Sequence, residues 1–394
     1  MRWMPSLFFT KGILYAFVFV VALIMLRRTG LSIAETTFYI GLCYLPWVAK
    51  CWWKPLVART KNCWQLILLI ELLLVPAFSM LAFALPTEWK TVALLLLIAF
   101  FTAIHNVAVD MLCRCQVSSR SGNYQVLKEL SRKMADIVCI GIFIMFVGNL
   151  QVVYRNALLY SWRTMVFIMS FLMLLLFFWH LIVLPRHSCK ELPACDEPKF
   201  ELSKSMLAFV LLFLFAPTMI NKMSVLFLIS NQSSGGLGLS PQELGFVLGT
   251  IGVIALTFGM MSGRRLSSRW SLRALVLPMA ALLIVPPIVY VTLSFWQPSN
   301  FYLISTCVFF EQAAYGIALS GYLALLRKLR NGNIAKSLMA LSMMIACMLS
   351  GTIQMYSSYF HFFLVALGGW LLTFAAAFLV WRSLAGHTTS SDKQ

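Results

Sequence analysis

Twelve long apolar runs recur along the 394-residue chain, separated by short polar stretches and centred near Phe17, Pro46, Leu73, Thr102, Ile142, Leu174, Thr218, Gly252, Leu283, Cys307, Cys347 and Thr373. Each is close to the roughly 20 residues that a helix needs to cross a bilayer. The pattern predicts an all-α polytopic membrane protein with no soluble domain. Six runs precede a mixed-charge stretch and six follow it, so one six-helix bundle is expected over residues 1–184, a cytoplasmic linker over 185–204 and a second bundle over 205–394. Pro193 and Pro198, set among Lys190, Glu191, Asp196, Glu197, Lys199 and Glu201, suit a surface linker without a fold of its own. The first run is too long for a signal peptide and lacks a small-residue cleavage site, so it is expected to remain as the first span.

Composition agrees. With 61% hydrophobic and 11% charged residues and a mean hydropathy of +0.86, the chain carries more apolar surface than one soluble core can bury. The net charge of +18 would suggest nucleic acid until the basic residues are placed on the spans. The termini and even-numbered connections hold 22 of the 31 Lys and Arg, against five (Arg27, Arg28, Lys90, Arg155, Arg163) in odd-numbered connections. The positive-inside rule then sets both termini in the cytoplasm and assigns the basicity to membrane orientation, with no nucleic-acid partner. The ten cysteines lie mostly within spans and lack metal or disulfide spacing, so they read as small buried apolar residues, with no metal and no cofactor expected.

Residues 101–110 break the apolar pattern most sharply, with His105, Asn106 and Asp110 inside the fourth run. At helical spacing Ala99, Ala103, Asn106 and Asp110 share one small or polar stripe, the expected wall of a wet space, because ionisable groups in a membrane helix seek a partner or water.

A repeat links the two halves: Leu-Val-Ala-Arg-Thr at 56–60 after the second run and Leu-Ser-Ser-Arg-Trp at 266–270 after the eighth. In the second copy, Gly259-x-x-x-Gly263-Arg264-x-Leu266-Ser267-x-Arg269 resembles the loop signature of the major facilitator superfamily; Arg59 is the matching base of the first copy. Ala58 and Ser268 stand where that signature carries an aspartate. The resemblance implies a major facilitator fold of twelve transmembrane helices in two six-helix bundles, with spans 1, 4, 7 and 10 lining a central cavity. Those four spans carry Lys11, Asp110 with His105, Lys222 and Glu311. Estimated depths pair Lys11 with Asp110 and Lys222 with Glu311. Pro217, before Asn221 and Lys222, suits a locally broken helix at a binding site. Lys50 and Glu71 reach similar depths on adjacent spans and are expected to form a structural ion pair, and Lys54 to snorkel.

A narrower resemblance covers the first third. Tyr44-Leu45-Pro46-Trp47-Val48-Ala49-Lys50-Cys51-Trp52-Trp53-Lys54-Pro55-Leu56-Val57-Ala58-Arg59, together with Thr102 to Asp110, is similar to blocks of the AmpG-type muropeptide permease and acetyl-coenzyme A transporter family. Lys50, Pro55, Leu56, Arg59 and Asp110 match, whereas Ala58, His105 and Asn106 depart. The resemblance implies proton-coupled import of an anhydro-muropeptide or related anionic, sugar-containing solute across the bacterial inner membrane. Lys11, Asn106, Lys222, Tyr15 and Tyr315 are the candidate solute-binding residues, and Asp110, Glu311 and His105 the candidate proton-coupling residues. Tyr322 is a further aromatic near the expected cavity that could stack on a sugar ring, although most aromatic side chains of so apolar a chain pack against helices or lipid. Alternatives are a carrier of another organic anion such as an acyl-coenzyme A, a non-transporting receptor on a carrier fold, or a membrane-embedded transferase, for which no catalytic constellation is found. The expected partners are a small solute, protons and the lipid bilayer; a monomer is expected, although Gly245-x-x-x-Gly249 and Gly259-x-x-x-Gly263 pack helices within a chain as readily as between chains.

Overall fold

The computed structural model describes residues 3–60, 62–116, 122–155, 157–186, 202–330 and 332–391. Most of the linker expected over 185–204 lies outside them. Among the described residues eleven helices are long and apolar enough to cross a membrane, and a twelfth segment, span 2, is broken into shorter helices. Span 1 is Trp3–Arg28, span 3 Cys63–Ala84, span 4 Glu88–Gln116 and span 6 Leu158–Val183. Span 5 joins Gly122–Asp136 to Phe143–Val153 through a π-helical turn. Span 8 joins Pro241–Leu244 to Val253–Arg269 through another. Span 10 is Phe301–Arg327, span 11 Gly332–Met355 and span 12 Tyr359–Ser391.

Three spans are interrupted, each with a break just ahead of proline, and span 2 has a second break at Ala49. Span 2 consists of Ile33–Leu42, Leu45–Val48 and Lys50–Ala58, span 7 of Lys204–Leu212 and Phe215–Ile229, and span 9 of Leu272–Leu282 and Val285–Trp296. Proline lacks the N–H that would bond four residues back, and its ring crowds that carbonyl. Pro46, Pro217 and Pro287 therefore end the helices at Leu42, Leu212 and Leu282.

The structure also exposes a repeat. Gly30-Leu31-Ser32-Ile33-Ala34-Glu35 opens span 2, and Gly238-Leu239-Ser240-Pro241-Gln242-Glu243 opens span 8. Both glycines adopt positive φ, 113° and 69°, where a side chain would be strained. In each copy the serine N–H donates to the glutamate three residues on, at 2.8 and 2.9 Å, and the glutamate N–H donates back to the serine hydroxyl. These reciprocal bonds satisfy orphan amides at a helix start.

The chain forms two compact units, Met1–Leu31, Ala49–Cys195 and Leu244–Gly249 in one, and Ser32–Val48, Asp196–Glu243 and Thr250–Gln394 in the other. In the first, an apolar core gathers Trp3, Leu7, Phe8, Ile67, Val107 and Leu112, and Gly249 of span 8 lies directly on the backbone of Gly141 in span 5. The second is built around Phe209, Phe213 and Tyr322, the last two stacked with ring centroids 4.9 Å apart. Within it spans 8 and 10 touch backbone to backbone: a Cβ on Gly259 would run into the Ala313 carbonyl, and one on Gly263 into Ser320. The motif glycines thus pack two helices of one chain. Gly259→Val is expected to destabilise this unit by about 1–3 kcal/mol or more, the range for overpacking, seen as a lower unfolding temperature in detergent. An unchanged melting curve would mean that the helices separate freely there.

Candidate functional site

In the first unit three helices converge on Asp110. Span 1 presents Lys11, whose Nζ donates to Asp110 Oδ1 at 2.5 Å and to the Asn106 carbonyl at 3.5 Å. Span 4 presents Asp110, Asn106 and Thr102 at successive four-residue steps, so they share one face. The Lys11 and Asp110 side chains keep 18% and 36% of their exposure, so the pair borders open space instead of being sealed in the core. Beside it, the buried Asn106 Oδ1 and Thr102 Oγ1 have no hydrogen-bond partner.

Span 5 adds two cations. Lys128 and Arg132, four residues apart, lie over the rings of Phe8 and Tyr15 of span 1, each at 5.3 Å. Tyr15 also packs against Phe19 at 4.6 Å. Lys128 and Lys50 both act electrostatically on Asp110 in addition to Lys11. One carboxylate therefore stands among three lysines. The Lys128-x-x-x-Arg132 spacing at the start of span 5 was the available signal.

Deeper in the same unit, Glu71 contradicts the pairing with Lys50 expected from the sequence. Its carboxylate is bonded instead by two histidines: His105 Nε2 at 3.1 Å from Oε1, and His180 Nδ1 at 2.8 and 2.9 Å from Oε1 and Oε2. All three side chains are fully buried. The break at Ala49 starts a new helical segment at Lys50 that packs against span 4, which puts Lys50 in the field of Asp110.

The second unit likewise departs from the expected Lys222–Glu311 pair. The segment after the Pro217 break turns buried Lys222 toward Tyr44, whose ring centroid is 5.8 Å from Nζ, and toward Cys43 of span 2 and Cys347 of span 11. Glu311, 2% exposed, faces span 9 instead. Its carboxylate accepts from Gln312 Nε2 at 2.9 Å and lies beside the buried Tyr290 hydroxyl, which forms no well-aligned hydrogen bond. Among the described residues no cation reaches Glu311. Tyr315 and Tyr322 belong to the apolar core of this unit, and Tyr322 donates its hydroxyl to the Val210 carbonyl at 3.0 Å. They pack against helices and do not offer a ring to a solute. Arg59 and Arg269 are exposed and Arg264 half-buried. No group of three metal-ligating side chains occurs among the described residues.

No protein-family profile matches the chain, and no curated protein matches it. Solved structures do. A variant of the nucleoside transporter NupG superposes with a TM-score of 0.68 at 13% identity, covering 96% of this chain and 99% of that one. A D-xylose-proton symporter superposes at 0.67 and 13% identity, covering 96% and 95%. A POT family transporter in complex with a thioalcohol conjugated peptide gives 0.68 at 10% identity, covering 96% and 94%. At these identities the likeness is one of fold. The chain has the major facilitator fold, an all-α multi-pass membrane architecture of twelve transmembrane helices.

Proposed function

We propose that this protein is a proton-coupled secondary carrier that imports an anionic, sugar-containing solute across the bacterial inner membrane, with both termini cytoplasmic. The carrier reading is supported by the fold, whose solved neighbours include nucleoside, peptide and sugar transporters. The observation that carries the charge of the solute is the surplus of cation around Asp110, where Lys11, Lys50 and Lys128 surround one carboxylate that borders open space. An anion entering beside Lys11 competes with Asp110 for it. Asn106 Oδ1 and Thr102 Oγ1, lacking partners, suit the hydroxyl and amide groups of a sugar or peptide. Tyr15, already held by Arg132, supplies an aromatic face at the same place.

Coupling follows from competition for charge. When the solute draws Lys11 away, Asp110 loses its hydrogen-bonded cation and keeps only the field of Lys50 and Lys128, so it accepts a proton more readily. Glu311, buried among neutral partners, meets the same condition without a solute. Lys222 is the cation proposed to serve the solute in the second unit.

Likeness to the muropeptide permeases names an anhydro-muropeptide as the solute. The competing organic anion is an acyl-coenzyme A. A thermal-shift screen of the purified full-length protein separates them. A solute at 100 times its Kd stabilises by about 2.7 kcal/mol. Anhydro-muropeptides are expected to raise the unfolding temperature and acetyl-coenzyme A to leave it unchanged; the reverse result would reassign the solute. Reconstituted vesicles separate the reaction classes: accumulation identifies a carrier, chemical turnover a transferase, and saturable binding without flux a receptor.

A further inference from the structure

The buried cluster of Glu71, His105 and His180 is not used by the solute site, and its hydrogen bonds are informative about where protons sit. Counting begins at Ser6, whose single hydroxyl meets three partners: it receives the Trp179 indole N–H at 3.2 Å, and lies 3.0 Å from both the Trp3 carbonyl and His180 Nε2. A hydroxyl has one proton to give and two lone pairs. If His180 is neutral with its proton on Nδ1, Ser6 must donate to Nε2, and the Trp3 contact goes unmade. If His180 also carries a proton on Nε2, that N–H donates to Ser6, Ser6 donates to the Trp3 carbonyl, and all contacts are satisfied together.

His105 behaves oppositely. Its Nε2–H points at Glu71, while its buried Nδ1 has no partner. A second proton there would be an unpaired charged donor in an apolar interior, which is far costlier than an unused acceptor. The geometry therefore separates two histidines that share one carboxylate: a second proton on His180 Nε2 meets an acceptor in Ser6, and one on His105 Nδ1 meets none.

We propose that Glu71 and His180 form a proton-binding site of the first unit, loaded as an imidazolium against a carboxylate and emptied through Ser6. Loading adds one proton to His180 Nε2 and turns the Ser6 hydroxyl from Nε2 to the Trp3 carbonyl. The atoms involved are already in contact, and no co-reactant is needed. The loaded cluster is neutral overall; the empty one carries the Glu71 charge alone. Ser6 is only half-buried, one step from the exposed Trp179, so the route outward is a single hydroxyl long. Titratable neighbours are few. Span 3 presents Glu71, span 4 His105 and, on its other face, the Asp110 that Lys11 of span 1 already holds; the Phe143–Val153 segment of span 5 against span 6 contains no ionisable residue. This inference is independent of the solute and of Glu311.

The test is 15N NMR of histidine-labelled, full-length protein in nanodiscs, titrated between about pH 5 and 8. One buried imidazole with two N–H protons protected from exchange is expected, together with one that stays neutral with its proton on Nε2. The doubly protonated signal should vanish in Glu71→Gln and His180→Gln and persist in His105→Gln. Ser6→Ala, which removes only the half-buried hydroxyl, should leave the fold intact and shift the pH at which that signal appears, a readout that stands even if a core variant fails to fold. Absence of any doubly protonated buried imidazole in the wild-type chain at all pH values, or its survival in Glu71→Gln, would overturn the site.

Discussion

Glu311→Gln is expected to abolish concentrative uptake while leaving solute exchange intact. Each net positive charge that moves inward with the solute gains about 2.3 kcal/mol per 100 mV of membrane potential. At about 1.4 kcal/mol per factor of ten, that supports roughly fifty-fold accumulation. Without a group that binds and releases the coupled proton, accumulation should be lost, and the anionic solute should equilibrate below the outside concentration at an inside-negative potential. Glutamine suits the test: it keeps the shape and the neutral partners of Glu311, Gln312 and Tyr290, so a loss of coupling is not a loss of packing. Exchange of labelled for unlabelled solute across proteoliposomes reports binding and alternation without a gradient. Fifty-fold accumulation persisting in Glu311→Gln would remove Glu311 from the coupling path; loss of exchange as well would make it a structural or solute-binding residue.

The twelve spans were legible in the sequence because hydropathy alone decides whether a segment belongs in a bilayer, and each apolar run was long enough to show it. The Lys11–Asp110 pair was legible too, since the two lie at similar depth on helices of the same unit. Rotation about the axis was not legible. Glu71 was matched to Lys50 by depth, yet its partners come from spans 4 and 6, 34 and 109 residues away. Nothing in a one-dimensional pattern tells which face of span 3 meets those helices. Proline compounds the problem. Each break ahead of Pro46 and Pro217 resets the helical phase, so Lys50 and Lys222 face directions that an unbroken helix would not give them. The Gly-Leu-Ser-x-x-Glu starts of spans 2 and 8 are plain in the sequence. The cap is a local device, and reading it needs only the three-residue spacing from serine to glutamate.

Lys11→Met and Asp110→Asn, alone and together, are expected to separate stability from transport. Each single change strands the opposite charge of a pair bonded at 2.5 Å. Removing one partner of a fully buried pair costs about 3–5 kcal/mol, and exposed pairs are worth at most about 1 kcal/mol. With side-chain exposures of 18% and 36% this pair stands between those limits, so each single variant should lose about 1–3 kcal/mol. The double variant strands neither partner of the pair and, with only Lys50 and Lys128 deprived of the carboxylate, should recover part of the loss, a coupling that neither single change reveals. Transport should not recover with it. A charge-assisted hydrogen bond to a solute anion contributes about 1.5–3 kcal/mol, so every variant lacking Lys11 should bind the solute about 10- to 150-fold more weakly. Unfolding temperatures and uptake measured on the same four proteins give the answer. Recovery of both in the double variant would make the pair a structural clasp, and equal stability in all four would mean that Lys11 and Asp110 are solvated independently and never compete for an incoming anion.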